Sequence, residues 1–240
     1  MSARPIRVGL LSTIDAPLLG RQINDLLDLG YRIDTILFDS KIMSVKDHEI
    51  HHERTAGRMP PIPLDTFEQA EIPAYFVHNH NSSFTAKLVQ RLELDLLVNA
   101  GTPRILTKEA LAAARIGVLN CHPGMLPEYR GCTCVEWAVY LDEQVGNTVH
   151  LMSEGIDEGA IVMKEGLSFS STDNYPDVRL KVFSAGSRLM ARAVHEIQAK
   201  KIDQGQFIPQ GKGEYRPIID AAKMALVYRK LEEGRYAFQK

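Results

Sequence analysis

Asn120 and His122 stand one residue apart in Asn120-Cys121-His122-Pro123, and Asp157 follows inside Gly155-Ile156-Asp157-Glu158-Gly159. A side-chain amide, an imidazole and a carboxylate form the set that acyl transfer to an amine requires. Attack of nitrogen on an acyl carbon creates a tetrahedral oxyanion, which hydrogen-bond donors stabilise by about 3 to 4 kcal/mol each, and a relay must move a proton to the leaving group. Alternate residues of an extended strand share a face, so Asn120 and His122 are expected to point the same way. A carboxylate at Asp157 is expected to orient the ring and favour the imidazolium, lifting its pKa toward or above neutrality. Singly, each residue has an ordinary reading as a turn former or a solvated polar group; the order of all three is what singles them out. His150 either supports the site or is a satisfied strand histidine.

Such residues need a scaffold. Residues 6–11 are an apolar run, and residues 16–29 carry Leu18, Leu19, Ile23, Leu26 and Leu27 at helical spacing, a strand followed by a helix. Residues 33–38, 74–77, 94–99 and 117–120 read as further strands. Residues 83–92 and 107–114 read as helices, the first with Asn81, Ser82 or Ser83 available as a cap. This alternation predicts an α/β fold with a mostly parallel sheet and helices on both faces. Its ligands bind in the crevice beyond the carboxyl ends of the strands, where Asn120 and His122 are expected, just past the strand that ends at Leu119. Residues 134–141 predict a helix. Residues 147–152 and 160–169 are extended stretches expected to pair on either side of Asp157. A long helix over 176–200 closes the body, with Thr172, Asp173 or Asn174 as candidate caps. Residues 1–203 thus read as one catalytic domain. Residues 204–240, with clustered Gly and Pro and an amphipathic stretch at 221–231, read as an appendage that serves as a lobe, a hairpin or an oligomer contact.

Composition excludes several classes. The 240 residues carry 28 Lys and Arg against 30 Asp and Glu, a net charge of −2, and no basic stripe, so no nucleic-acid partner is expected. The apolar run Val8-Gly9-Leu10-Leu11 is too short for a membrane span or a signal core, and a cytoplasmic protein with no membrane partner is expected. Cys121, Cys132 and Cys134 are an odd set, which argues for a reducing compartment over a disulfide framework. With His122 they are possible zinc ligands, but the adjacent Cys121-His122 and the tight Cys132-x-Cys134 depart from structural zinc spacing, and no metal is expected. A nucleophilic cysteine is not needed by the chemistry. The first strand leads into Ser12-Thr13-Ile14-Asp15-Ala16-Pro17, without the Gly-x-Gly-x-x-Gly turn of a dinucleotide-binding oxidoreductase.

The segment Asn120-x-His122-Pro123-x-x-Leu126-Pro127-x-Tyr129-Arg130-Gly131 resembles the signature of the formyltransferases that use 10-formyltetrahydrofolate. The likeness extends upstream to Gly101-Thr102-Pro103-Arg104-Ile105-Leu106 and downstream through Gly146-Asn147-Thr148-Val149-His150 to Asp157. It implies a Rossmann-like formyltransferase fold, 10-formyltetrahydrofolate as donor, and Asn120, His122 and Asp157 as catalytic residues. It further implies that the backbone of Arg104, Ile105 and Leu106 recognises one pterin edge and that the loop of Ser153, Glu154, Gly155 and Ile156 folds against the ring. The plain alternative for Arg104 is a surface arginine capping the next helix. By motif position Glu128, Tyr129 and Arg130 face the site and either touch the acceptor or hold the loop.

The acceptor is approached by elimination within the resemblance. Glycinamide ribonucleotide formyltransferases carry a Gly-rich phosphate loop where this chain has Ser12 to Pro17. Methionyl-tRNA formyltransferases add a basic C-terminal domain, whereas this tail is short and not basic. Deformylating hydrolases carry an N-terminal regulatory domain, for which no room is expected before Ile6. The sugar N-formyltransferases remain, which implies a nucleotide-linked amino-deoxysugar as acceptor and a homodimer. Residues 44–57 hold Lys46, His48, His51, His52 and Arg54, with Arg58 following. They read either as contacts to an acceptor diphosphate or as a solvated helix opened by a Ser44-x-x-Asp47 capping box and balanced by Asp47, Glu49 and Glu53.

Overall fold

The computed structural model describes residues 5–61, 70–200 and 207–240. The boundary expected between residues 203 and 204 lies outside the described residues, as do residues 1–4. Strand β1 (Val8–Ser12) is buried along its whole length, as a parallel strand covered on both faces must be. Helix α1 (Leu19–Asp28) returns over it, with Leu19, Ile23 and Leu26 turned into the core at helical spacing. The chain then builds outward through β2 (Thr35–Asp39), α2 (Val45–Thr55) and β3 (Ala74–Val77). It crosses back through α3 (Ser83–Arg91) to β4 (Leu96–Asn99), and continues by α4 (Lys108–Leu111) to β5 (Gly117–His122).

A short strand β6 (Arg130–Gly131) and helix α5 (Cys134–Leu141) separate β5 from β7 (Gly146–Leu151) and β8 (Ile161–Gly166). The sheet order is β3-β2-β1-β4-β5-β7-β8. Pairs from β3 to β5 are parallel, and β7 and β8 are antiparallel additions. Growth therefore reverses between β1 and β4, and the carboxyl ends around that switch form the crevice where α/β sheets hold ligands. Helices α1 and α6 (Tyr175–Lys200) cover one face of the sheet, and α3 and α4 the other.

Two departures from sequence expectation have clear causes. Helix α4 stops after four residues instead of filling 107–114, because the chain must turn at once to enter β5 through Gly117 at φ 119. Strand β5 runs on to His122 because β7 pairs with it beyond the end of β4, His122 facing Thr148. Asn120 and His122 thus lie within the strand, not past it.

The tail packs back on the body. Strand β9 (Tyr215–Arg216) pairs with β6, and α7 (Ala221–Glu232) lies against α5. Val227, Leu231 and Tyr236 share a core with Tyr129, Val139 and Val182. Among the described residues no helix is long and apolar enough to cross a membrane.

Candidate active site

Three strand ends bring the first polar groups together. The β5–β7 register places Asn120 directly opposite His150, and Asn99 at the end of β4 donates from Nδ2 to Asn120 Oδ1 at 2.9 Å. Asn120 Nδ2 donates in turn to His150 Nε2 at 3.2 Å. His150 can accept there because its Nδ1–H is given to the Leu151 carbonyl at 2.9 Å, which fixes the tautomer. Burial pushes the His150 pKa down, against the upward pull of that carbonyl and of Asp157, so the ring is held neutral. The second Nδ2 hydrogen of Asn120 remains available as a donor.

His122 is 4% exposed. Its Nε2–H donates to the Tyr129 carbonyl at 2.7 Å, so in the neutral ring Nδ1 carries the lone pair, 3.4 Å from Asp157 Oδ2. Burial lowers the His122 pKa and outweighs both the carboxylate and the Tyr129 bond. This corrects the expectation of a lifted pKa: the ring sits too deep for one partly solvated carboxylate to favour its charge. The same depth explains Gly124, where a Cβ would come within 2.6 Å of His122 Nε2. Asp157 lies on the loop between β7 and β8 at φ 54. Its Oδ2 accepts from the Gly131 N–H at 3.0 Å, and its Oδ1 stands 3.7 Å from His150 Nε2.

Two openings meet at Asn120. The first, of about 500 Å³, is lined by residues 104–106 on one side and 152–157 on the other, with Asn120 and His150 at its floor. All seven positions expected to face a pterin therefore lie around one cleft, with Ile105 79% and Ile156 52% exposed at its sides. The second, of about 590 Å³, is lined by neutral groups that include Gln22, Asn99, Asn120, Asn147, Phe183 and Ser187. Gln22 Oε1 and Ser187 Oγ are buried there without a hydrogen-bond partner among the described residues. A third opening of about 1000 Å³ adjoins it at Gly101 and carries Lys41, His51 and Arg54 beside Asp47.

Asp39, missed in the sequence, and Asn81, foreseen only as a cap candidate, hold the first cleft in shape. Arg104 forks onto the buried Asp39, Nε at 2.6 Å and Nη2 at 2.7 Å from its two oxygens. It is thus neither free on the surface nor a helix cap, since Thr107 caps α4. Burial opposes ionisation of Asp39, but Arg104 and the N–H groups of Lys41 and His80 win and hold its carboxyl at about 2. Asn81 donates to the Ile105 carbonyl and accepts from the Thr107 N–H, both at 2.9 Å. It is free to do so because Ser82 takes the capping role on α3. A polar residue at the carboxyl end of β2 was the available signal for Asp39; nothing local marked its long-range pairing with Arg104.

Other expected groups lie elsewhere. The Tyr129 side chain is 2% exposed, points into the core shared with the tail and donates to Glu143 at 2.6 Å, so its carbonyl is what serves the site. Arg130 donates to Gln210 and to the Gly211 carbonyl and lines neither cleft at Asn120. Ser44 caps α2 as expected, His48 on it pairs with Asp15, and Arg58 beyond its end pairs with Asp177. Burial pushes the Cys121 and Cys134 thiols up to about 12, which leaves little thiolate for attack or ligation.

Residues 38–194 match the Formyl transferase family. The chain belongs to that family. The chain is 37% identical over 133 residues to a methionyl-tRNA formyltransferase of Methylacidiphilum infernorum, covering 55% of this chain and 41% of the relative. It is 33% identical over 127 residues to another from Nostoc, covering 52% and 36%. The chain thus spans less than half the length of these curated relatives. Its fold is that of solved formyltransferases. Glycinamide ribonucleotide transformylase 1 of Symbiobacterium toebii superposes with a TM-score of 0.63 at 20% identity, covering 87% of this chain and 92% of that one. A sugar N-formyltransferase from Shewanella gives 0.61 at 18% identity, covering 94% and 87%.

Proposed function

We propose that this formyltransferase moves the formyl group of 10-formyltetrahydrofolate onto the amine of a nucleotide-linked amino-deoxysugar. The observation that carries the reading is the meeting of two unlike clefts at Asn120. The first suits a flat pterin: backbone segments 104–106 and 153–156 face each other across it, with apolar side chains at both sides. The second suits a hydroxylated ring, since four side-chain amides, a hydroxyl and the Phe183 ring stand among apolar walls at Leu18, Pro123 and Val182. The adjoining opening, with the Lys41 and Arg54 cations, suits the phosphates that such a sugar would carry.

In this reading the amine enters from the second cleft and attacks the formyl carbon. A C–N bond forms, and the free Asn120 Nδ2 hydrogen supports the oxyanion. His122 Nδ1, unprotonated in the resting site, takes the proton that the amine sheds. It returns that proton to the folate nitrogen as the original C–N bond breaks, while Asp157 stabilises the transient imidazolium. In this reading His122 acts as a base that becomes an acid, in place of the charged donor foreseen, and the burial that lowers its pKa supports that role.

Methionyl-tRNA is the second reading, favoured by the names of the curated relatives. Comparing kcat/KM for an amino-sugar nucleotide, glycinamide ribonucleotide and methionyl-tRNA with the same donor separates the two. The sugar nucleotide is expected to lead by about four orders of magnitude, as expected where a site's buried polar groups would otherwise lie unpaired. Preference for methionyl-tRNA would replace the first reading with the second.

A further inference from the structure

Asp157 holds φ 54, a left-handed conformation that is uncommon outside glycine, though Asp adopts it more readily than most residues. The turn that carries it is bonded from the tail. Gln210 Nε2 donates to the Asp157 carbonyl at 3.0 Å and to the Gly159 carbonyl at 2.5 Å, spanning the turn that carries the carboxylate. Its Oε1 accepts from Arg130 Nη2 at 3.2 Å. The Arg130 N–H donates to the Glu214 carbonyl at 3.1 Å, and the Gly131 N–H reaches the Asp157 carboxylate. One amide therefore joins the Asp157 turn, the loop after His122 and the tail. A two-way bond between Ile208 and Ile161 sets the tail against the start of β8. Gly159 permits the close packing, because a side chain there would run into the Leu151 carbonyl.

Resting on the formyltransferase reading above, we propose that Gln210 is a positioning residue for Asp157, holding the turn so that the carboxylate stays against His122 Nδ1. The chemistry is specific to a primary amide. Two N–H groups answer two carbonyls while the oxygen answers a guanidinium, and a glutamate of the same reach would oppose both carbonyls with a second acceptor.

The test uses the full chain with Gln210→Ala, Gln210→Glu and, as a control on an exposed tail residue, Lys212→Ala. Both Gln210 variants are expected to lose about ten- to a hundredfold in kcat, as small misplacements of a reacting group do. The KM for 10-formyltetrahydrofolate should hold within about twofold, the pattern of a lost transition-state interaction. Amide exchange across residues 153–159 should quicken, with the thermal midpoint near that of the parent and Lys212→Ala behaving as the parent. Unchanged kcat in Gln210→Ala, or a loss that merely tracks the folded fraction, overturns the proposal. If the parent itself transfers no formyl group, the functional reading fails instead. Exchange at 153–159 still judges the positioning in that case, and unaltered exchange in Gln210→Ala would overturn it.

Discussion

At the scale of residues, the site rests on a chain of tautomers that no sequence displays. Asn99 orients Asn120, and the Leu151 carbonyl fixes His150 as its acceptor. The Tyr129 carbonyl leaves His122 Nδ1 bare beside Asp157. Replacing His122 by Ala should lower kcat by about 10² to 10⁴, the usual worth of a positioned acid–base group, while a folate analogue binds with nearly native affinity by calorimetry. Asp157→Asn should also cut kcat and flatten its pH dependence; a parental rate and profile would remove Asp157 from the relay. Burial lowers the His122 pKa, so the free base should persist to lower pH than in an ordinary histidine. The acid limb of kcat/KM should therefore fall below the ordinary histidine value of about 6.5. The grouping of Asn120, His122 and Asp157 was legible in the sequence through type and order, and the structure brings the three together. The direction of the His122 shift was not legible, because it depends on how deeply β5 lies under the loop at Gly124.

At the scale of elements, strand alternation and helix spacing were enough to place every strand of the main sheet within a few residues, since both signals are local. Two features escaped. The run of β5 to His122 depends on β7, which joins it from later in the chain, and the Arg104–Asp39 fork spans 65 residues. That fork makes the first cleft testable as an element. Asp39→Asn should raise the donor KM by about tenfold, the size of one lost charge-assisted bond, and change kcat less. An unchanged donor KM would show that residues 104–106 hold their place without it. On the opposite side, Gln22→Ala should raise the acceptor KM by about fivefold and leave donor binding alone, as separate titrations of each ligand would register.

At the scale of the whole molecule, the tail and the sheet are one packed unit, and their stability should fall in acid for two reasons. Burial lowers the pKa values of His51, His80, His122 and His150. The unfolded chain then binds more protons below the ordinary histidine value of about 6.5, and stability drops as pH falls through it. Asp39 adds a later loss: its carboxyl titrates at about 2 in the fold against 3.8 in the open chain. Its contribution is full above the higher value and is lost as pH falls toward the lower one. Urea midpoints that stay level from about pH 7.5 to pH 4.5 would contradict the histidine effect. The central claim, that two clefts deliver a folate-borne formyl group and a sugar-nucleotide amine to Asn120, is tested most directly by a single-turnover reaction with isotopically labelled formyl donor. The label is expected on the sugar nitrogen as a formamide, in step with release of tetrahydrofolate. Label recovered as free formate, or carried by methionyl-tRNA when both acceptors compete, would contradict it.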